Sequence, residues 1–380
     1  MNRAGKYVEN LSGNAVYRSF KPSPLPPVPP LDMSRGLTER LVDARSELAK
    51  LETAARLIPN TQLFISMYVR KEALISSQIE GTQCTLDDVL DPEVGANSNL
   101  DVADVINYVH AAEYALEQMK TLPLCCRLFR DLHRELMNGV RGQEKNPGEF
   151  RTSQNWIGPA GCSLKDSRYI PPNKEDMLEA MSELEKYINE NEDYDPLIQI
   201  ALIHYQFETI HPFLDGNGRV GRLMILLYLM EKKLLSCPVI YISYFLKKNQ
   251  VEYYDRISEV RRSGNYEQWV SFFLEAVSAA ASDSMSAIEQ LSALHDRNIA
   301  LLPKTSRKKN TVRMLFDYIE AHPIINIKIT SQALGLNYNT VSNAIEKLCG
   351  LKILTETSNS ARNRVYAYSE YLDILKRDTD

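Results

Sequence analysis

Residues 211–222 read HPFLDGNGRVGR, and no other stretch constrains this chain as tightly. The apolar, proline-free run LIQIALIHYQFETI precedes it and LMILLYLM follows. Both runs read as helices, so the segment is a helix end, a tight loop and a new helix start. A glycine-rich loop opening onto a helix N-terminus presents free backbone N–H groups and the positive end of a helix dipole, the combination that binds phosphate. Gly216 and Gly218 admit backbone conformations that a Cβ disfavours. Asn217 offers side-chain amide donors. Arg219 and Arg222 are three apart, so both can project from one face of the new helix. Two guanidiniums there suit a polyphosphate, since each can bind it bidentately. Asp215 is the carboxylate among these donors and the natural ligand for Mg²⁺ carried in with phosphates. His211 titrates near neutral pH and is the candidate general base. Singly, these pieces read as a helix terminus, a turn and a solvated face. Together they place a base, a metal ligand, an anion loop and two cations in one segment.

That segment resembles the signature of the Fic family, H-P-F-x-D-G-N-G-R-x-x-R, at every specified position. The resemblance implies a mainly α fold, a Fic-type helical bundle with a β-hairpin flap. It also implies transfer of AMP from ATP to a Ser, Thr or Tyr hydroxyl of a target protein, and of the enzyme itself, with Mg²⁺ or Mn²⁺ as companion ion. Gly216, Asn217, Gly218 and Arg219 would hold the α and β phosphates, Asp215 the metal and Arg222 the γ-phosphate. His211 would take the proton of the attacking hydroxyl. Rival enzymatic readings are removal of AMP, with Glu80 positioning water, and transfer of another phosphate-linked group. A reading of a different class is a DNA-binding transcriptional regulator whose Fic region senses nucleotide.

The rest of the chain fits around this centre. FKPSPLPPVPPLD excludes a helix interior. Leu25, Val28 and Leu31 between the prolines predict an extended arm over residues 1–33, packed on the first domain. Such an arm is similar to the N-terminal region of many Fic proteins of this size. Residues 34–300 are expected to form the catalytic region. A helix near 62–81 ends SSQIEG, where Glu80 opposes the dipole preference of a helix C-terminus and invites a cation. The stretch resembles the family's inhibitory motif [S/T]-x-x-x-E-[G/N], with Ser76, Glu80 and Gly81 in place. The resemblance implies that Glu80 pairs with Arg222 and obstructs the γ-phosphate. Two or three helices are expected over 101–145. The Gly-, Pro- and Ser-rich stretch 150–172 reads as a hairpin, with β-prone pieces at Asn155-Trp156-Ile157 and Tyr169-Ile170. It resembles the Fic flap, which docks a target segment by main-chain pairing. The resemblance places Asn249 and Tyr253 near the adenine, although aromatic core packing is the alternative. Residues 265–300 read as two helices.

LLPKTSRKKNTV, residues 301–312, reads as a basic linker. Residues 313–380 follow the order helix, helix, helix, strand, loop, strand, which predicts a small winged helix-turn-helix of the α+β class. From residue 304 the chain carries twelve Lys and Arg against eight Asp and Glu, a basic excess in an otherwise acidic chain. Asn339, Thr340 and Asn343 of the third helix, with Arg362 and Arg364 on the wing, are candidate DNA contacts. The alternative is a packing or dimerisation module, and a homodimer would follow from it. The formal net charge of −5 argues against nucleic acid or membrane as the partner of the whole chain. No apolar run is long enough to span a bilayer, and MNRAGKYVENLSGN lacks a signal-peptide core. The six cysteines are scattered without metal-site spacing, which predicts reduced thiols in the cytoplasm.

Overall fold

The structure is a computed structural model and describes residues 2–12, 15–57, 61–90, 99–140, 144–159, 161–190, 193–303, 311–357 and 364–377. The chain opens on an antiparallel pair, β1 (Gly5–Ser12) and β2 (Ala15–Pro22), so the expected arm begins as a hairpin. After it, Leu31 is buried and Leu25 packs on the core, whereas Val28 faces solvent at 78% exposure. The apolar residues of the arm are thus not all turned inward, as the sequence reading expected.

Helices α1 (Arg35–Leu57), α2 (Thr61–Ile79), α3 (Leu86–Leu90), α4 (Leu100–Gln118), α5 (Cys126–Leu136) and α6 (Lys174–Glu190) lead to the centre. There α7 (Pro196–Ile210) and α8 (Asn217–Glu231) pack together. Asp195 caps α7 through the Leu197 N–H, and Pro196 fills its first position, where no N–H is needed. Every residue from Leu197 to Ile210 is buried, as are Asn217 to Leu229. Helices buried on every side belong in the middle of a bundle.

Helices α9 (Ile242–Lys248), α10 (Gln250–Ser263) and α11 (Tyr266–Leu301) close that bundle. The expectation of two helices over 265–300 is corrected: α11 is one helix of 36 residues. Its sequence contains no glycine or proline to break it, and AVSAAAS is rich in the best helix former. It packs along α1, and Trp269 donates to the Ala201 carbonyl of α7 at 2.8 Å.

The C-terminal elements are α12 (Thr311–Ala321), β3 (Ile324–Asn326), α13 (Ile327–Leu334), α14 (Tyr338–Gly350), β4 (Thr355–Glu356), β5 (Val365–Ala367) and α15 (Ser369–Lys376). The strands form one antiparallel sheet in the order β3-β5-β4. β3 and α15 were not anticipated. α12 packs on α2, and α15 on α11. Most of the linker, residues 304–310, lies outside the described residues. No helix among the described residues is long and apolar enough to cross a membrane.

Trp269 is fully buried where α7, α10 and α11 meet. Trp269→Ala should cost about 3–5 kcal/mol in urea unfolding, as large-to-small core changes do. Trp269→Phe should cost about 1–3 kcal/mol, because the indole bond to the Ala201 carbonyl and part of the packing are lost. Losses well below these would mean that the bundle does not depend on this junction.

Candidate active site

His211 caps α7 in the left-handed conformation, φ 51° and ψ 61°, with its N–H on the Phe207 carbonyl. This backbone is uncommon for a residue with a Cβ, so the surroundings must hold it. Arg151, 2% exposed, donates through Nε to the His211 carbonyl at 3.0 Å. Asn155 donates to the Phe213 carbonyl at 2.9 Å. The loop ends at Gly216, φ 73°, where α8 begins with no side-chain cap. The first-turn amides of α8 are thus left without a capping side chain.

Asn217 differs from expectation. Its Oδ1 accepts the Phe213 N–H and its Nδ2 donates to the Phe213 carbonyl, both at 2.8 Å. The side chain closes the loop on itself, holding both main-chain groups of Phe213. Gly218 lies under Glu80, and a Cβ there would overlap the Glu80 carboxylate.

The two arginines diverge instead of sharing a face. Arg219 turns to α4, pairing with Asp104 at 3.2 Å and reaching the Met137 sulfur at 3.3 Å. Arg222, 1% exposed, turns to α2. Its Nε donates to Ser76 Oγ, and its Nη2 donates to the Ser76 carbonyl, each at 2.8 Å. Nη2 also pairs with Glu80 Oε1 at 2.7 Å. Burial by itself would lower the Arg222 pKa, but Glu80 and its neighbours raise it above the ordinary value. Glu80 follows the last residue of α2, and Gly81 at φ 95° turns the chain away.

Asp215 is 40% exposed and pairs with Lys145 at 2.7 Å, while its Oδ1 accepts the Gly216 N–H. Burial would raise its pKa, but Lys145 and that N–H hold it below the usual value. Among the described residues no three side chains cluster as a metal site. Asp215 fits Mg²⁺ in one way, as a single carboxylate sharing the ion with phosphates and water. The half-exposed Lys145 would have to release it.

Burial pushes the His211 imidazole down to about 3, helped by the guanidiniums of Arg151 and Arg261 and opposed by the Glu208 carbonyl and Asp215. Its Nδ1 is buried.

Sequence reading missed His133, Lys145, Arg151 and Asn155. His133 stacks on Phe213 at 3.9 Å. Its Nδ1 accepts the Gly148 N–H, so its Nε2 donates to the Asp215 carbonyl at 3.1 Å. None of the four sits in the 211–222 stretch, and only contact across the fold reveals them.

Tyr253 is corrected. It is 1% exposed, and its hydroxyl pairs with His204 Nε2 at 2.8 Å, so it presents no surface to a base. The helical period places Tyr254, 45% exposed, on the outer side. Asn249 is half-buried and donates to the Phe245 carbonyl. In the C-terminal region Asn339 and Asn343 are exposed. Thr340 spends its hydroxyl on Asn337, and Arg364 lies 3.5 Å from Glu356. Arg362 lies outside the described residues.

Residues 38–117 match the family model described as Fic/DOC family N-terminal, and residues 123–229 match the model described as Fic/DOC family. The chain thus carries the two domains of the Fic/DOC family. It is 29% identical over 164 residues to the Protein adenylyltransferase Fic of Culex quinquefasciatus, covering 43% of this chain and 29% of that protein. With the protein of the same name from Drosophila erecta it shares 31% identity over 147 residues, 38% of this chain and 26% of that one. The match thus spans under a third of the length of these curated relatives. A Fic family protein from Desulfovibrio desulfuricans G20 superposes with a TM-score of 0.57 at 20% identity, covering 89% of this chain and 97% of that one. A Fic domain containing signaling protein from Bacteroides thetaiotaomicron gives 0.52 at 19% identity, covering 65% and 96%. Both show the same helical fold.

Burial pushes His204 to about 3 and His133 to about 4, as it does His211. Each is depressed, so the unfolded chain takes up a proton below about 6.5 that the fold refuses. The stability these groups contribute is full above that pH and is lost as pH falls towards 3–4. Ring NMR shifts of all three should therefore stay constant from pH 8 to pH 5. A midpoint near 6.5 at any of them would contradict the burial described here.

Proposed function

We propose that this chain is a protein adenylyltransferase that moves AMP from ATP to a Ser, Thr or Tyr hydroxyl of a target protein, and to itself, and that Glu80 restrains it. One observation carries the reading: an uncapped helix N-terminus, the half-buried imidazole of His211 and the buried guanidinium of Arg222, held by a part-exposed carboxylate, meet where α7 turns into α8.

The triphosphate would lie across the first turn of α8, its oxygens taking the N–H groups of Asn217 and Gly218. Arg222 would receive the γ-phosphate once Glu80 withdraws, and Arg219 would exchange Asp104 for the phosphates. Asp215 is the residue to hold Mg²⁺, whose chemistry is to neutralise charge on the pyrophosphate leaving group. The target hydroxyl attacks the α-phosphorus. The new O–P bond forms, the α–β phosphoanhydride breaks, pyrophosphate leaves and His211 accepts the hydroxyl proton. The incoming negative charge raises the proton affinity of His211 at the moment it is needed. Fixed donors and positioning supply most of the rate, as in other phosphoryl transfers.

A second reading, AMP removal, draws on the same Glu80. Its carboxylate is 36% exposed above Gly218, where it could orient water. The C-terminal elements fit a winged helix by their order. The contacts of α12 with α2 and of α15 with α11 support a packing role for this region beside the DNA reading. The six cysteines are unpaired, in keeping with a reducing cytoplasm.

Wild type, Glu80→Gly and His211→Ala should be incubated with Mg²⁺ and α-labelled ATP, alone and with lysate, and protein-bound label counted. Label should rise at least about tenfold in Glu80→Gly. It should fall by about 10²–10⁴ when His211→Ala is added, the span of a general base. Label unchanged by Glu80→Gly would remove the restraint. No label despite ATP binding would favour AMP removal or another donor.

A further inference from the structure

The N-terminal hairpin borders the flap. The Phe20 N–H donates to the Ile170 carbonyl at 3.0 Å, and Tyr17 Oη donates to Gln154 at 3.1 Å. In the β1–β2 register Phe20 faces Tyr7, Arg18 faces Glu9 and Val16 faces Leu11. Along an antiparallel strand the main-chain groups point alternately toward the partner and away from it. Phe20 sends its N–H away from β1, so Arg18 and Val16 do the same. Among the described residues neither makes a backbone bond on that side. β2 therefore keeps an open edge, which is a template for an added strand.

A groove of about 540 Å³ lies between that edge and the flap, lined among others by Val16, Arg18, Lys165, Arg168, Tyr169 and Ile170. Three of these are cations, and no carboxylate lines the groove. Among the described residues none of the three cations forms an ion pair. Even Glu9, opposite Arg18, stays beyond pairing distance, and the Arg18 guanidinium rests over the Tyr7 ring at 5.5 Å instead. Val16 is 61% exposed. One lining residue ties the groove to the loop of the candidate site: Tyr169 bridges Ile157 and donates its hydroxyl to the Thr209 carbonyl, two residues before His211.

We propose that this groove docks the target protein through an extended acidic segment. The segment adds to the β2 edge by main-chain hydrogen bonds. Alternate residues of a strand share one face, so carboxylates at every second position meet Arg18, Lys165 and Arg168. The hydroxyl to be modified then lies further along the same segment, at the flap. This names the substrate class for the AMP-transfer reading and rests on it for its purpose, though not for its binding.

The test uses the full chain without ATP and two fluorescein-labelled ten-residue peptides, one alternating Glu with Val and one alternating Lys with Val. Anisotropy should show the Glu–Val peptide binding at least about tenfold tighter, a difference of about 1.4 kcal/mol, and weakening as salt screens the charges. Arg168→Glu with Lys165→Glu should remove that preference. Val16→Pro deletes one edge N–H and no charge, and it should weaken binding where Val16→Ala does not. Equal binding of the two peptides, or binding indifferent to both the charge reversal and Val16→Pro, would overturn the proposal. Because ATP is absent, a failure here leaves AMP transfer untouched. Intact peptide binding without label transfer would sink only the catalytic reading.

Discussion

The loop from His211 to Gly216 joins two helices that are buried on every side, and this constraint shapes the rest of the site. A loop in that position cannot rely on water beneath it, so its main-chain groups must find partners in the protein. Four side chains supply them. Asn217 takes both groups of Phe213, Arg151 takes the His211 carbonyl, Asn155 takes the Phe213 carbonyl and His133 takes the Asp215 carbonyl. These come from α8, from the segment after α5 and from α5 itself. Holding the loop in this way also holds the left-handed backbone of His211. Donors are then in place before any ligand arrives, which is what electrostatic catalysis requires.

The same burial explains the pairing of the charges. A guanidinium taken out of water without a counter-ion is strongly destabilising. Arg219 and Arg222 are therefore each matched, to Asp104 and to Glu80. A polyphosphate entering here would not meet free cations; it would exchange one anion for another. The exchange is asymmetric. Asp104 is 7% exposed at its side chain and Glu80 is 36% exposed. The acid nearer water loses less on leaving, so Glu80 is the partner more easily displaced.

How much of this the sequence disclosed depended on range. The apolar runs flanking 211–222 announced two buried helices, because an apolar surface all round has one stable location. The residue types of the loop suggested phosphate chemistry, which the proposed function takes up. Local spacing could not say where side chains were spent. Asn217 looked like a ligand donor, but its geometry suits its own loop. Arg219 and Arg222 share helical spacing, yet α4 and α2 approach from different sides and draw them apart. Tyr253 and Tyr254 are neighbours in sequence whose ring centroids lie 5.0 Å apart, and only the packing of His204 against one of them decides which is core. His133 and Arg151 carry no local mark, since their partners are carbonyls far along the chain.

The pairing of Arg222 has two parts that differ in permanence. Ser76 accepts two of its hydrogen bonds from a fully buried position on α2. Glu80 supplies the third from beyond the end of that helix, next to Gly81 in a left-handed turn. α2 itself is packed against α4, α9 and α12. Moving the helix would break all of these contacts, whereas rotating the Glu80 side chain breaks one ion pair. Under the proposed restraint, its relief would need no unfolding of α2. Ser76 would keep Arg222 aimed while the carboxylate leaves, with the guanidinium in position for an incoming anion.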